Sequence, residues 1–94
     1  MTVGLVAIHY PHDAHREELI SRVKRAADVM RRTPGCLSAE TWIDLANQTV
    51  VATGEWEYDE ALGRAFAAVE SAGVDIEYDA RGLRPREVLR LISV

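Results

Sequence analysis

The spacing of apolar and polar positions changes several times along this chain, and each change marks an element. Residues 3–10 (VGLVAIHY) form a short apolar run rich in strand-favouring residues and closed by Pro11, which predicts a strand. Strand alternation puts Val3, Leu5 and Ala7 on one face, and Val6 and Ile8 on the other. Over residues 14–32 the apolar positions are Leu19, Ile20, Val23, Ala26, Ala27 and Met30. That is helical spacing with a charged opposite face, and Asp13 is placed to cap it. Thr33-Pro34-Gly35 stops the helix, because Pro34 cannot continue it and Gly35 permits a left-handed turn. Residues 36–45 then alternate, with Leu37, Ala39, Thr41, Ile43 and Leu45 on one face and Ser38, Glu40, Trp42 and Asp44 on the other. Asn47-Gln48 supplies a turn, and residues 49–57 the returning strand of an antiparallel hairpin. Gly54, inside that strand, marks a bulge or a close approach of another group. Asp59 is read as the cap of a second helix, whose apolar positions are Leu62, Ala65, Phe66 and Val69 and which Gly73 ends. Residues 75–83 read as polar connecting chain with room for one helical turn. Residues 86–94 form a last strand entered through Pro85.

The order β-α-β-β-α-β predicts a ferredoxin-like α+β fold, a four-stranded antiparallel sheet with both helices on one face. The first strand is apolar on both faces, and the last carries Val88, Leu89, Leu91 and Ile92. Two helices cover only one side, so the other side presents an apolar patch larger than a soluble monomer exposes. A second copy packed sheet to sheet covers it, giving a two-fold homodimer, a dimeric α+β barrel.

Composition narrows the partners. Ninety-four residues predict one domain spanning 1–94. The net charge is −4, with no basic stripe carrying interleaved aromatics, so nucleic acid is not expected as a partner. Arg16, Arg22, Lys24, Arg25, Arg31 and Arg32 cluster, but Glu17, Glu18 and Asp28 interrupt them, as on a solvated helix face. No apolar stretch is long enough to span a membrane. The single cysteine, Cys36, has no internal disulfide partner, which suits a reducing cytoplasm. No phosphate-binding loop, dinucleotide fingerprint, metal-ligand pair or nucleophile elbow is present, which argues against nucleotide- and metal-dependent chemistry.

Three motifs carry a family resemblance. They are Pro34-Gly35-Cys36-Leu37 after the first helix, Glu40 in the second strand, and Glu55-Trp56 followed by Tyr58-Asp59-Glu60-Ala61-Leu62. Together they resemble the antibiotic biosynthesis monooxygenase (ABM) family of the dimeric α+β barrel superfamily, over nearly the whole chain. The resemblance implies a homodimer that oxygenates planar phenolic, quinol or polyketide-like substrates with dioxygen and without metal, flavin or other cofactor. An electron-rich phenolate or enolate can itself reduce dioxygen, so the protein must bind it, help remove a proton, stabilise the anion and exclude water. Many family members carry a histidine just after the Glu-Ala-Leu step, where this chain has Arg64-Ala65-Phe66. Of the residues used by haem-degrading relatives only Trp56 matches, which disfavours haem held by an axial histidine at that place.

Candidate residues follow, each with an ordinary alternative. Trp56 lines a pocket and stacks on a planar substrate, or anchors its strand to the second helix. Trp42 contacts substrate, or belongs to a core or dimer interface. His9 and Tyr10, at the end of the first strand, supply a general base and a hydroxyl donor, or are ordinary polar residues; the same alternative holds for His12 and His15. Arg64 pairs with an anionic substrate oxygen, or with Glu60 one helical turn away. Phe66 joins the aromatic wall. Tyr58 and Tyr78 flank the second helix at the pocket mouth, or pack on the surface. Cys36 reads as a small buried residue rather than a reactive thiol. Two other functions remain open on the same scaffold, a non-catalytic binding or interaction module and an isomerase or cyclase.

Overall fold

A computed structural model describes residues 1–46, 48–75 and 82–94. Strand β1 (Val3–Pro11) leads through a short 3₁₀ turn (Asp13–His15) into helix α1 (Arg16–Arg31). Then come β2 (Cys36–Asp44), β3 (Thr49–Trp56), helix α2 (Asp59–Ser71) and β4 (Gly82–Ile92). The four strands form one antiparallel sheet in the order β2-β3-β1-β4, so β2 and β4 are its edges. This is the ferredoxin-like α+β arrangement. The Asn47 half of the expected turn, Tyr78 and the helical turn expected within 75–83 fall outside or partly outside the described residues.

Both helices cover the same face. The core joins Val3 and Leu5 of β1, Ala39 of β2 and Trp56 of β3 to Ala26, Ala27 and Met30 of α1 and Ala61, Leu62, Ala65 and Val69 of α2. The small residues on the helices let them approach the sheet closely, and the larger Trp56 and Leu62 fill the space between. Full burial of side chains such as Leu62 and Val69 contributes about 1.5–3 kcal/mol each.

Two turns fix the hairpin against α2. Thr33-Pro34-Gly35-Cys36 closes with the Cys36 amide donating to the Thr33 carbonyl, and Gly35 takes φ +88°. Pro before a positive-φ Gly is the sequence of a type II turn. At the end of α2, Gly73 has φ +74°, its N–H donates to Glu70 and the Val74 N–H donates to Val69. These bonds form a Schellman cap, with Val74 buried beneath it.

Three details differ from the sequence expectation. Asp13 does not cap α1 with its side chain; it pairs with Arg16. Asp59 is the first residue of α2 rather than its cap, and it pairs with Arg90 of β4 at 2.6 Å. Each aspartate found an arginine instead of a backbone amide. Strand β4 begins four residues before Arg86, running through Pro85. An edge strand has ladder groups without partners on its outer side, so a missing N–H is tolerated there. The register against β1 also shifts, from Ile8↔Glu87 to Tyr10↔Arg84, so β4 carries one extra residue around Pro85.

Candidate functional site

Strand alternation sorts the candidate residues onto two sides of the sheet. Val3, Leu5, Ala7 and His9 face the helices, opposite Trp56, Gly54, Ala52 and Val50 in the β1–β3 register. On β4 the same face carries Val88, which pairs with Ala7, and Arg86 two residues earlier. Between this face and the helices lies a partly open cavity of about 80 Å³. Leu5, Ala7, Ala52 and Val88 form its sheet floor, and Val23, Ala26, Ala27 and Met30 of α1 its roof. Trp56 and Phe66 supply aromatic walls, and His9, Glu40 and Arg86 are the ionisable residues that border it.

His9 is held neutral. Its pKa is lowered from 6.5 to about 4, first by burial and then by the positive charges of Arg86 and Arg22. Near pH 7 the imidazole therefore offers one N–H donor and one lone-pair acceptor. Arg22 is itself buried on α1, where it donates to Glu18 and to the Asp75 carbonyl.

Trp56 is only 1% exposed, and its ring lies over Gly54. A Cβ on residue 54 would sit 2.6 Å from the ring, so the glycine marks a close approach of another group. The Trp56 indole N–H is buried without an acceptor among the described residues. Buried indole N–H groups ordinarily have one.

Tyr10, Trp42, Tyr58 and Arg64 do not line this cavity. Tyr10 follows His9 directly and so takes the opposite sheet face. Its hydroxyl donates to Glu87, its ring stacks on Arg84 at 4.3 Å, and the Glu87 hydrogen bond raises its pKa. Trp42 is 57% exposed on that same outer face and donates its Nε1–H to Thr53 at 2.8 Å. Arg64 donates to the Tyr58 hydroxyl at 2.7 Å on the exposed side of α2, so its partner is Tyr58 rather than Glu60. His12 is exposed and His15 half-buried. Cys36 is half-buried, with burial raising its thiol pKa, the reverse of what activates a nucleophile. The described residues hold no cluster of histidine, cysteine and carboxylate side chains that would bind a metal. No helix among them is long and apolar enough to cross a membrane.

Arg86 is the charged cavity residue that the sequence reading did not single out. Its signal was parity, since it stands two residues before Val88 and shares that residue's helix-facing side.

No family model matches the sequence, and no curated protein matches it. Solved structures do match the fold. Rv0793 from Mycobacterium tuberculosis superimposes with a TM-score of 0.88 at 17% identity, covering 100% of this chain and 96% of that one. An antibiotic biosynthesis monooxygenase gives 0.79 at 15% identity, covering 98% of each chain. SnoaB, a cofactor-independent oxygenase from Streptomyces nogalater, gives 0.73 at 20% identity, covering 98% and 92%. The fold is shared with all three. At such identities the likeness extends to the backbone path and not to the chemistry.

Proposed function

We propose that this chain is a cofactor-independent monooxygenase of the ABM type, acting on a planar phenolic, quinol or polyketide-like substrate. The observation that carries the reading is the partly open cavity where a neutral His9 and the cationic Arg86 meet the aromatic walls of Trp56 and Phe66. A phenol bound there gives its proton to His9. Protonating an imidazole whose pKa is about 4 is uphill in the empty cavity. The phenolate left behind supplies a negative charge beside the imidazolium, and Arg86 stabilises that phenolate. The electron-rich ring carbon beside the phenolate then bonds to dioxygen. The resulting hydroperoxide loses water and leaves a carbonyl, so a quinol and dioxygen give a hydroxyquinone and water, with no outside reductant. The apolar walls keep bulk water from the intermediate.

The same reading includes a homodimer. Leu89 is 50% exposed and Leu91 47% exposed on the outer sheet face, on the same side as Trp42, Val6 and Ile8. A second copy laid on this face would cover them. Light scattering at micromolar concentration tests this, and a monomer there removes the sheet-packing argument. The lone cysteine and the cofactor-free chemistry suit a reducing cytoplasm.

Oxygen uptake tests the chemistry. Wild type is mixed with one-, two- and three-ring phenols and quinols without added cofactor, beside His9→Gln and Arg86→Gln. Faster uptake than buffer with at least one substrate, lost in both variants, is expected. Substrates that bind and raise the melting temperature without consuming oxygen would move the assignment to a binding module or an isomerase.

A further inference from the structure

The floor of the cavity is unusual for the middle of a sheet. Ala7 and Ala52 pair directly across the two central strands, β1 and β3, and both border the cavity on the helix side. Alanine is depleted in strands, and a covered central position ordinarily carries a branched or aromatic side chain. Larger side chains flank the pair on the same face, Leu5 and His9 on β1 and Val50 on β3. Gly54, the next helix-facing position on β3, is smaller still, but the Trp56 ring takes up its space, passing 2.6 Å from where a Cβ would stand. Among the described residues no side chain does the same for Ala7 and Ala52, and the space above them remains as part of the cavity of about 80 Å³. Helix α1 does not make up the difference, because it brings Ala26 and Ala27 to the same cavity.

An unfilled space at this place has a physical meaning. Interiors pack to crystal-like density, and a void forfeits the contacts that a larger side chain would make. Filling such a void commonly raises stability, and the recurrent penalty is lost function where the space takes a ligand. The cavity is partly open, with the exposed Val88 at its β4 border, so the floor limits how deeply a ring sits and not how large the whole ligand is. His9 shares the strand and face of Ala7 two residues on, roughly 7 Å away. A ring that rests on the alanine pair can therefore present a hydroxyl to the imidazole. Side chains larger than alanine at these two positions would lift it away.

We propose that Ala7 and Ala52 are the specificity-determining floor of this site, kept small so that the ring of a hydroxyaromatic ligand seats against the sheet beside His9. The proposal rests on the phenolic-substrate reading for the identity of the ligand and not on the oxygenase chemistry. Its signature is that stability and binding move in opposite directions. Ala52→Val fills the space, so the fold gains contacts and the ligand loses its seat. Ala52→Gly leaves the space open and weakens the strand.

The test pairs thermal melts with calorimetry under nitrogen, using hydroquinone and a naphthohydroquinone as probes, and oxygen uptake is measured separately. Ala52→Val is expected to melt about 2–8 °C higher than wild type and to bind the tighter probe about ten-fold or more weakly. Ala52→Gly is expected to melt about 2–8 °C lower and to weaken that probe by less than about three-fold. Ala7→Val repeats the comparison on the facing strand, and carries it if Ala52→Val is destabilised. Loss of stability in both valine variants overturns the proposal, because the floor would then be tightly packed already. Undiminished binding in the folded valine variants also overturns it, as does an equal loss of binding in Ala52→Gly. Absence of binding by both probes in wild type does the same. Opposed shifts of stability and binding without oxygen uptake leave the floor standing and remove the monooxygenase reading. Oxygen uptake that is the same in wild type and both valine variants does the reverse.

Discussion

Replacing Gly54 with alanine tests the packing on which the site is built. The new Cβ would lie 2.6 Å and 2.8 Å from two carbons of the Trp56 ring and 3.0 Å from the Ser38 carbonyl oxygen. The shortest of these falls about 0.8 Å inside ordinary van der Waals contact, so the ring must retreat. It has little room, since Trp56 is nearly inaccessible and packs among fully buried residues. Overpacking of this kind costs roughly 1–3 kcal/mol. Removing glycine from a strand interior returns about 0.5–1 kcal/mol. The net loss is therefore about 1–2 kcal/mol, a fall in Tm of roughly 5–15 °C for a domain of this size. Urea unfolding followed by circular dichroism measures it. The decisive comparison repeats the change in a Trp56→Phe background, which lacks the outer ring carbons that meet the new Cβ. There Gly54→Ala keeps only the 3.0 Å contact with the Ser38 carbonyl and should cost less than in wild type, giving a coupling of about 1–2 kcal/mol. An equal loss in both backgrounds would refute the argument, because the strain would then lie in the backbone and not at the ring.

Other outcomes follow from the same structure. His9 titrates near 6.5 when unfolded and near 4 when folded, so its contribution to stability is full above pH 6.5 and is lost as pH falls to about 4. Allowing for solvent screening at a half-buried site, the loss is about 1–2 kcal/mol, and urea midpoints at pH 7.5 and 4.5 should differ less in His9→Gln than in wild type. Gly35→Ala combines φ +88° with a Cβ 2.6 Å from that of Ala61, and should lose about 2–3 kcal/mol in thermal unfolding. Gly63→Ala, in α2 with open space around it, should gain about 0.5–1 kcal/mol in the same assay. Arg90→Ala removes an exposed partner of Asp59 and should shift stability by less than about 1 kcal/mol, a difference that vanishes at high salt.

Periodicity made most of the fold legible. The helical stripe ending at Met30, the alternation of Ala39, Thr41 and Ile43, and the Pro34-Gly35 stop each read locally, and the structure keeps them. What was not legible depends on neighbours distant in sequence. Pro85 reads as the start of a strand, and only β4's edge position shows why pairing continues on both sides of it. Asp13 and Asp59 have the composition of caps, but Arg16 and Arg90 lie close enough to take their carboxylates. Within the site, Trp56 and Phe66 stood out by residue type. His9 and Tyr10 are adjacent, and one strand cannot turn both toward the same cavity. Arg86 was missed because a charged residue in a predicted strand reads as solvent-facing until the covered face is known.

The extra residue around Pro85 decides the charge inside the molecule. Counting back from Val88 by strict alternation, Arg86 and Arg84 would both face the helices, and the cavity would face two guanidinium groups from one strand. The inserted residue reverses the parity beyond it. Arg84 emerges on the opposite side, stacked on Tyr10 and paired with Glu87, while Arg86 alone stays within. Repulsion between two cations at the cavity is thereby avoided, and His9 is spared a further push toward lower pKa. One irregular proline thus acts as a charge divider between the two faces of the sheet. It leaves Arg86 as the one β4 guanidinium that borders the cavity.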